Sequence, residues 1–123
     1  MACLAKRTLT AAILLFLSLG ATAQYQLIEI EKPQLSKSVG GLVTDPVGTV
    51  VSGVSVEEWT AGWKKFVRAT HTDNNGRFYL QPEQGKTIYY LQFQSPGFDP
   101  LRLKLKVDPE AKPGITVKML LAT

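Results

Sequence analysis

The chain has 123 residues, a formal net charge of +4, one cysteine and one histidine. A lone histidine excludes multi-histidine zinc and iron sites, and a lone cysteine excludes an internal disulfide. So small a charge, without a clustered basic footprint, gives no warrant for nucleic-acid binding.

Residues 1–23 carry Lys6 and Arg7, then an apolar run from Leu9 to Leu19, then Ala21-Thr22-Ala23. This reads as a secretory signal peptide cleaved after Ala23, which makes the protein an exported one, periplasmic or extracellular. The apolar run falls well short of the ~20 residues of a membrane span, and no second one follows, so no transmembrane span is expected in the mature chain. Cys3 precedes the run and leaves with it. The mature chain therefore has no thiol nucleophile or thiolate metal site. Cys3 also cannot be a lipid-anchored cysteine, which would have to follow the run. With Lys6 and Arg7 removed, 100 residues of net charge +2 remain. That length suffices for one domain burying somewhat over ~60% of its unfolded surface.

Residues 24–38 form an N-terminal arm or an extra strand, with Tyr25 to Glu31 as the candidate run. Residues 39–121 then hold seven candidate strands: Val39 to Thr44, Val54 to Glu58, Lys65 to Thr72, Arg77 to Gln81, Ile88 to Gln94, Leu101 to Val107 and Ile115 to Met119. Each shows the period-2 alternation of a strand with one buried and one wet face. Leu101-Arg102-Leu103-Lys104-Leu105-Lys106-Val107 shows it best. Turn-forming clusters separate them: Asp45 to Gly48, Asp73 to Gly76, Glu83 to Lys86, Ser95 to Gly97 and Asp108 to Gly114. Short strands at this spacing, with no helical stretch between, predict an all-β sandwich or small barrel.

One segment breaks the alternation. Val54 and Val56 point inward, so Glu58 should too, where an apolar residue is expected; a bulge rotating Trp59 into the core would resolve this. Trp63 and Phe66 flank Lys64 and Lys65 at an expected hairpin tip. Trp59, Trp63, Lys64, Lys65 and Phe66 are therefore the candidate binding surface, because exposed aromatics on a rigid sheet stack on sugars or anchor a protein. The competing reading makes Trp59 and Phe66 core and lays Trp63 over an edge. The stripe Arg102, Lys104 and Lys106 is suited to an acidic polymer or lipid head group, and equally serves as the wet face of an edge-guarded strand.

The stretch Thr70 to Pro82 gathers His71, Asp73, Asn74, Asn75 and Gly76, the residue types of a small metal or catalytic site. A hairpin turn accounts for all of them, since Asp73 to Gly76 are types that tolerate left-handed backbone. A calcium loop would need alternating oxygen ligands, and Asp73 has no acidic companion before Glu83. His71 has no evident nucleophile to activate. No catalytic residue, metal or cofactor is assigned.

The motifs carry a family resemblance. Gly40-Gly41-Leu42-Val43-Thr44-Asp45-Pro46-Val47-Gly48 with Val51-Ser52-Gly53-Val54-Ser55-Val56, then the structural turn motif Thr72, Asp73, Gly76 and Phe78, then Pro96-Gly97-Phe98, resemble the carboxypeptidase regulatory-like domain. The resemblance implies a seven-stranded transthyretin-like (prealbumin-like, Ig-like) β-sandwich over residues 39–121. Such domains are generally non-catalytic, with partners that differ from case to case. Related sandwiches include transthyretin-like hydrolases, which use several histidines and a C-terminal Tyr-Arg-Gly-Ser. They also include intradiol dioxygenases, which hold iron with two tyrosines and two histidines. The present sequence supplies neither set.

Two functions follow as expectations. One is an exported, non-catalytic binding or assembly module that meets a protein or carbohydrate partner of the cell envelope, with homo-oligomers open to it through edge strands. The alternative is a small secreted hydrolase, which would require a pocket gathering two or more of His71, Asp73, Ser52, Ser55, Asp99 and Tyr90.

Overall fold

The computed structural model describes residues 24–123; the signal-peptide reading of residues 1–23 lies outside them. Eight strands run in chain order: β1 Ile28–Ser36, β2 Gly40–Thr44, β3 Ser55–Trp59, β4 Phe66–His71, β5 Arg77–Tyr79, β6 Ile88–Gln94, β7 Leu101–Val107 and β8 Ile115–Lys118. They build an all-β sandwich of a five-stranded sheet, ordered β1-β7-β6-β3-β4, and a three-stranded sheet, ordered β5-β2-β8.

The alternation in the sequence sets which residues meet between the sheets. Leu101, Leu103 and Leu105 of β7 are buried, as are Tyr89, Leu91 and Phe93 of β6 and Val56 of β3. From the smaller sheet come Val43, Phe78, Ile115 and Val117. Phe78 and Phe93 meet edge to face across the core with ring centroids 5.3 Å apart. Each large apolar side chain so buried contributes about 1.5–3 kcal/mol.

The strand count is eight rather than seven because β1 joins the sheet, running parallel to β7 from Ile28 beside Leu101 to Ser36 beside Val107. Its register shifts between Ile30 and Gln34, around Pro33. An edge strand tolerates this, because proline has no N–H to give a ladder.

The turn at Asp73–Gly76 is present, but it is not a hairpin within one sheet. β4 is an edge of the larger sheet and β5 an edge of the smaller one, so the turn carries the chain between layers. The Asp73 carboxylate accepts from the amides of Asn75 (2.9 Å) and Arg77 (3.0 Å), and the Gly76 amide donates to the Asp73 carbonyl at 2.9 Å. Asp45 builds the same turn, its carboxylate accepting from Val47 and Thr49. Thr72 is buried and ties the corner: its hydroxyl donates to the Val51 carbonyl at 2.8 Å and accepts from the Val54 amide at 2.9 Å.

Gly76 has φ of +74°, and a Cβ there would lie 2.8 Å from Val50 Cβ and 2.9 Å from the Val43 carbonyl oxygen. Gly76→Val is therefore expected to destabilise by about 2 kcal/mol through backbone strain and crowding. A lowered denaturant midpoint at unchanged slope is the expected reading, and an unchanged midpoint would refute it.

Candidate functional site

The outer face of the larger sheet is set by register. Trp59 lies opposite Tyr90 on β6 and Phe66 on β4. Next along, Glu57 lies opposite Gln92, which faces Arg102, while Tyr90 faces Lys104. The loop between β3 and β4 folds over these residues through a three-residue 3-10 turn, Ala61–Trp63. It is closed by the Thr60 amide donating to the Lys65 carbonyl at 2.9 Å and the Lys65 amide donating to Thr60 Oγ1 at 3.0 Å.

The result is an aromatic shelf. Trp63 packs edge-on against Tyr90, centroids 5.5 Å apart, and Trp59 against Phe66, centroids 6.0 Å apart. Trp63 also covers the Arg102 guanidinium, whose carbon is 4.7 Å from the ring centroid. Trp63 and Trp59 are half-buried, Phe66 is 53% exposed, and Lys64 and Lys65 are exposed. Trp63 holds φ of +59°, the sole positive value outside glycine among the described residues. A non-glycine residue pays about 1–2 kcal/mol for that conformation.

The expected bulge lies in the partner strand. Glu58 pairs with Arg68 and Trp59 with Phe66, so the extra residue is Val67 on β4. Trp59 is not rotated into the core; it stays on the outer face, its indole N–H donating to Glu57 Oε1 at 3.2 Å. Phe66 is not core either, and Trp63 lies over the sheet face rather than an edge.

Glu58 points inward after all and is fully buried. Its carboxylate accepts from Arg68 Nε at 2.7 Å and from Lys86 Nζ. Arg68 spends its remaining reach on the Gln81 carbonyl, with Nη2 donating at 2.7 Å. The sequence signal for this network was an acid at an inward position with cations available; which cations would reach it was not readable.

Elsewhere, His71 is exposed at the end of β4, opposite Ser55. The Asp73 carboxylate caps its own turn. A cleft of about 400 Å3 opens between Tyr25, Ser55, Gln94, Pro96, Phe98 and Pro100. Of the six residues proposed for a hydrolase, Ser55 alone lines it. No group of three or more His, Cys, Asp or Glu side chains comes together among the described residues. No helix among them is long and apolar enough to cross a membrane.

No family model matches the chain, and no curated protein does. Among solved structures, wild-type catechol 1,2-dioxygenase from Acinetobacter radioresistens is similar, with a TM-score of 0.50 and 14% identity over 84% of this chain. The chain spans 60% of the length of that dioxygenase. The dioxygenase domain of a dioxygenase carbohydrate-binding protein fusion from Streptomyces sp. SirexAA-E is similar at a TM-score of 0.40 and 17% identity, over 83% of this chain and 97% of its own. At 14% identity the likeness to the catechol 1,2-dioxygenase shows a shared sandwich fold and nothing of chemistry.

Proposed function

We propose that this chain is an exported, non-catalytic module of the carboxypeptidase regulatory-like type that works by binding a protein or glycan of the cell envelope through the shelf Trp59, Trp63, Lys64, Lys65 and Phe66. The observation that carries this reading is Trp63. Its backbone is held in a conformation unfavourable for any residue but glycine, and its ring lies over the open face of a sheet. Backbone strain of this kind persists where surrounding structure imposes it, and it clusters at ligand-contacting sites. Folding alone is served as well by glycine at that position. The motifs at Gly40 to Val56, Thr72 to Phe78 and Pro96 to Phe98 support the family, and Lys6 to Ala23 supports export.

Trp63→Gly separates binding from folding. It removes half-buried ring contacts but relieves the positive φ, so the two effects offset and stability is expected to change by less than about 1 kcal/mol. The mature wild type and variant, immobilised and presented with an envelope extract and a glycan array, should differ. The wild type should retain a ligand that the variant loses. If both retain the same set, the shelf is not the contact surface.

A further inference from the structure

Arg102 stands near the start of β7, on its outer face, and is held from two sides. Its Nε donates to Gln92 Oε1 at 2.7 Å, and Gln92 is itself 8% exposed and fixed by its place in β6. The Trp63 ring covers the guanidinium at 4.7 Å, and Trp63 is in turn wedged against Tyr90. Among the described residues, its two terminal nitrogens donate to no protein atom and no carboxylate lies within ion-pair distance. Arg68 offers the contrast, since it is consumed by Glu58 and the Gln81 carbonyl. An arginine whose side chain is already ordered, with its planar fork unspent, is a preorganised receptor for a carboxylate.

The surroundings extend that receptor in two ways. Lys104 and Lys106 continue the same face of β7 and form no ion pair among the described residues. The face carries two nearby carboxylates. Glu57 already accepts from Trp59 Nε1 and Gln94 Nε2, and Glu29 lies opposite Arg102 on β1 without pairing to it. Glu29 is thus one unspent acid beside three unspent cations, Arg102, Lys104 and Lys106, and the balance is positive. Beside it lie the rings of Trp59, Trp63 and Phe66, which suit flat apolar faces.

We propose that this face binds an acidic polysaccharide, with Arg102 taking a carboxylate of the polymer, Lys104 and Lys106 adding attraction along it, and Trp63 and Trp59 stacking on its sugar rings. The inference rests on the binding-module reading above and names its ligand class. A polymer bearing both acids and sugar faces matches both features at once. An anionic membrane surface matches the charge but not the rings: membrane-anchoring aromatics enter the headgroup region, whereas Trp59 and Trp63 are half-buried against a sheet.

The test uses the mature protein with polygalacturonate as the acidic probe and the fully methyl-esterified polymer as its neutral counterpart, followed by calorimetric titration at physiological ionic strength. The acidic polymer should bind about tenfold or more tighter than the esterified one. Arg102→Gln should lose about the same factor while melting as the wild type does, and Arg102→Lys, a point charge without the fork, should recover little. Equal binding of the acidic and esterified polymers would overturn the acidic inference and leave the binding module standing. So would equal binding by wild type and Arg102→Gln, or tighter binding to phosphatidylglycerol vesicles than to polygalacturonate. Absence of binding to either polymer overturns the glycan inference, while the Trp63→Gly comparison against envelope extract decides the module reading separately.

Discussion

Gly41→Val is expected to destabilise the protein by about 3 kcal/mol or more, the upper end of the cost of overpacking. Gly41 lies in β2, between Phe78 of β5 and Ile115 of β8. A Cβ at this position would sit 2.0 Å from the Ile115 carbonyl oxygen and 2.8 Å from its nitrogen. Those are backbone atoms of a paired strand, so no side-chain rotation relieves the contact. Either β8 moves away or the ladder breaks, and Ile115 and Val117 go with it from the core. For a domain of this size the loss corresponds to a fall in Tm of roughly 12 °C or more. Gly48→Ala is the control: φ there is +92°, but nothing lies within 4 Å of the added carbon, so only about 1 kcal/mol of conformational cost is expected. Calorimetry on both variants checks the contrast. A Gly41→Val protein melting within a few degrees of Gly48→Ala would show that β2 and β8 do not approach so closely.

Arg68→Met is expected to cost about 3 kcal/mol, the lower end of the range for breaking a buried ion pair. Glu58 is wholly buried while the Arg68 side chain keeps 30% of its exposure, so the guanidinium shares its charge with water and the carboxylate does not. Removing Arg68 leaves Glu58 with Lys86 alone and also frees the Gln81 carbonyl. The penalty arises from the stranded carboxylate rather than from any large net gain by the pair. It follows that Glu58→Leu with Arg68→Met should recover most of the loss, because an apolar residue then fills an apolar site. A double-mutant cycle by urea denaturation should give a coupling of about 2 kcal/mol. Additive effects of the two changes would mean that Glu58 is not held by Arg68.

Trp59, Trp63 and Phe66 were legible as aromatics that the alternation did not need. Their company was not: Tyr90 is 27 residues beyond Trp63 and Arg102 is 39 beyond it, and only the β3–β6 and β6–β7 registers bring them under the same ring. The broken alternation predicts a bulge in β3 that turns Trp59 inside. The extra residue went into β4 because the β3–β6 pairing runs unbroken from Ser55 to Trp59, and because Glu58 finds two cations inside the fold.

By itself the sequence determined the strands and turns, because both are local. A side-chain period of two and the self-bonding of Asp before Gly act within a few residues, so β6 and β7 begin and end as the alternation predicts, and Asp45 and Asp73 build the same turn. Tertiary structure alone decided which strands share a sheet. Backbone hydrogen bonding is the same for any pair of strands, and a turn such as Asp73–Gly76 closes equally well within a sheet or between two. The choice goes to whichever arrangement buries the most apolar surface, and that depends on every strand at once. Only that arrangement added β1 alongside β7, gave Glu58 its partners and set the Trp63 ring over Arg102.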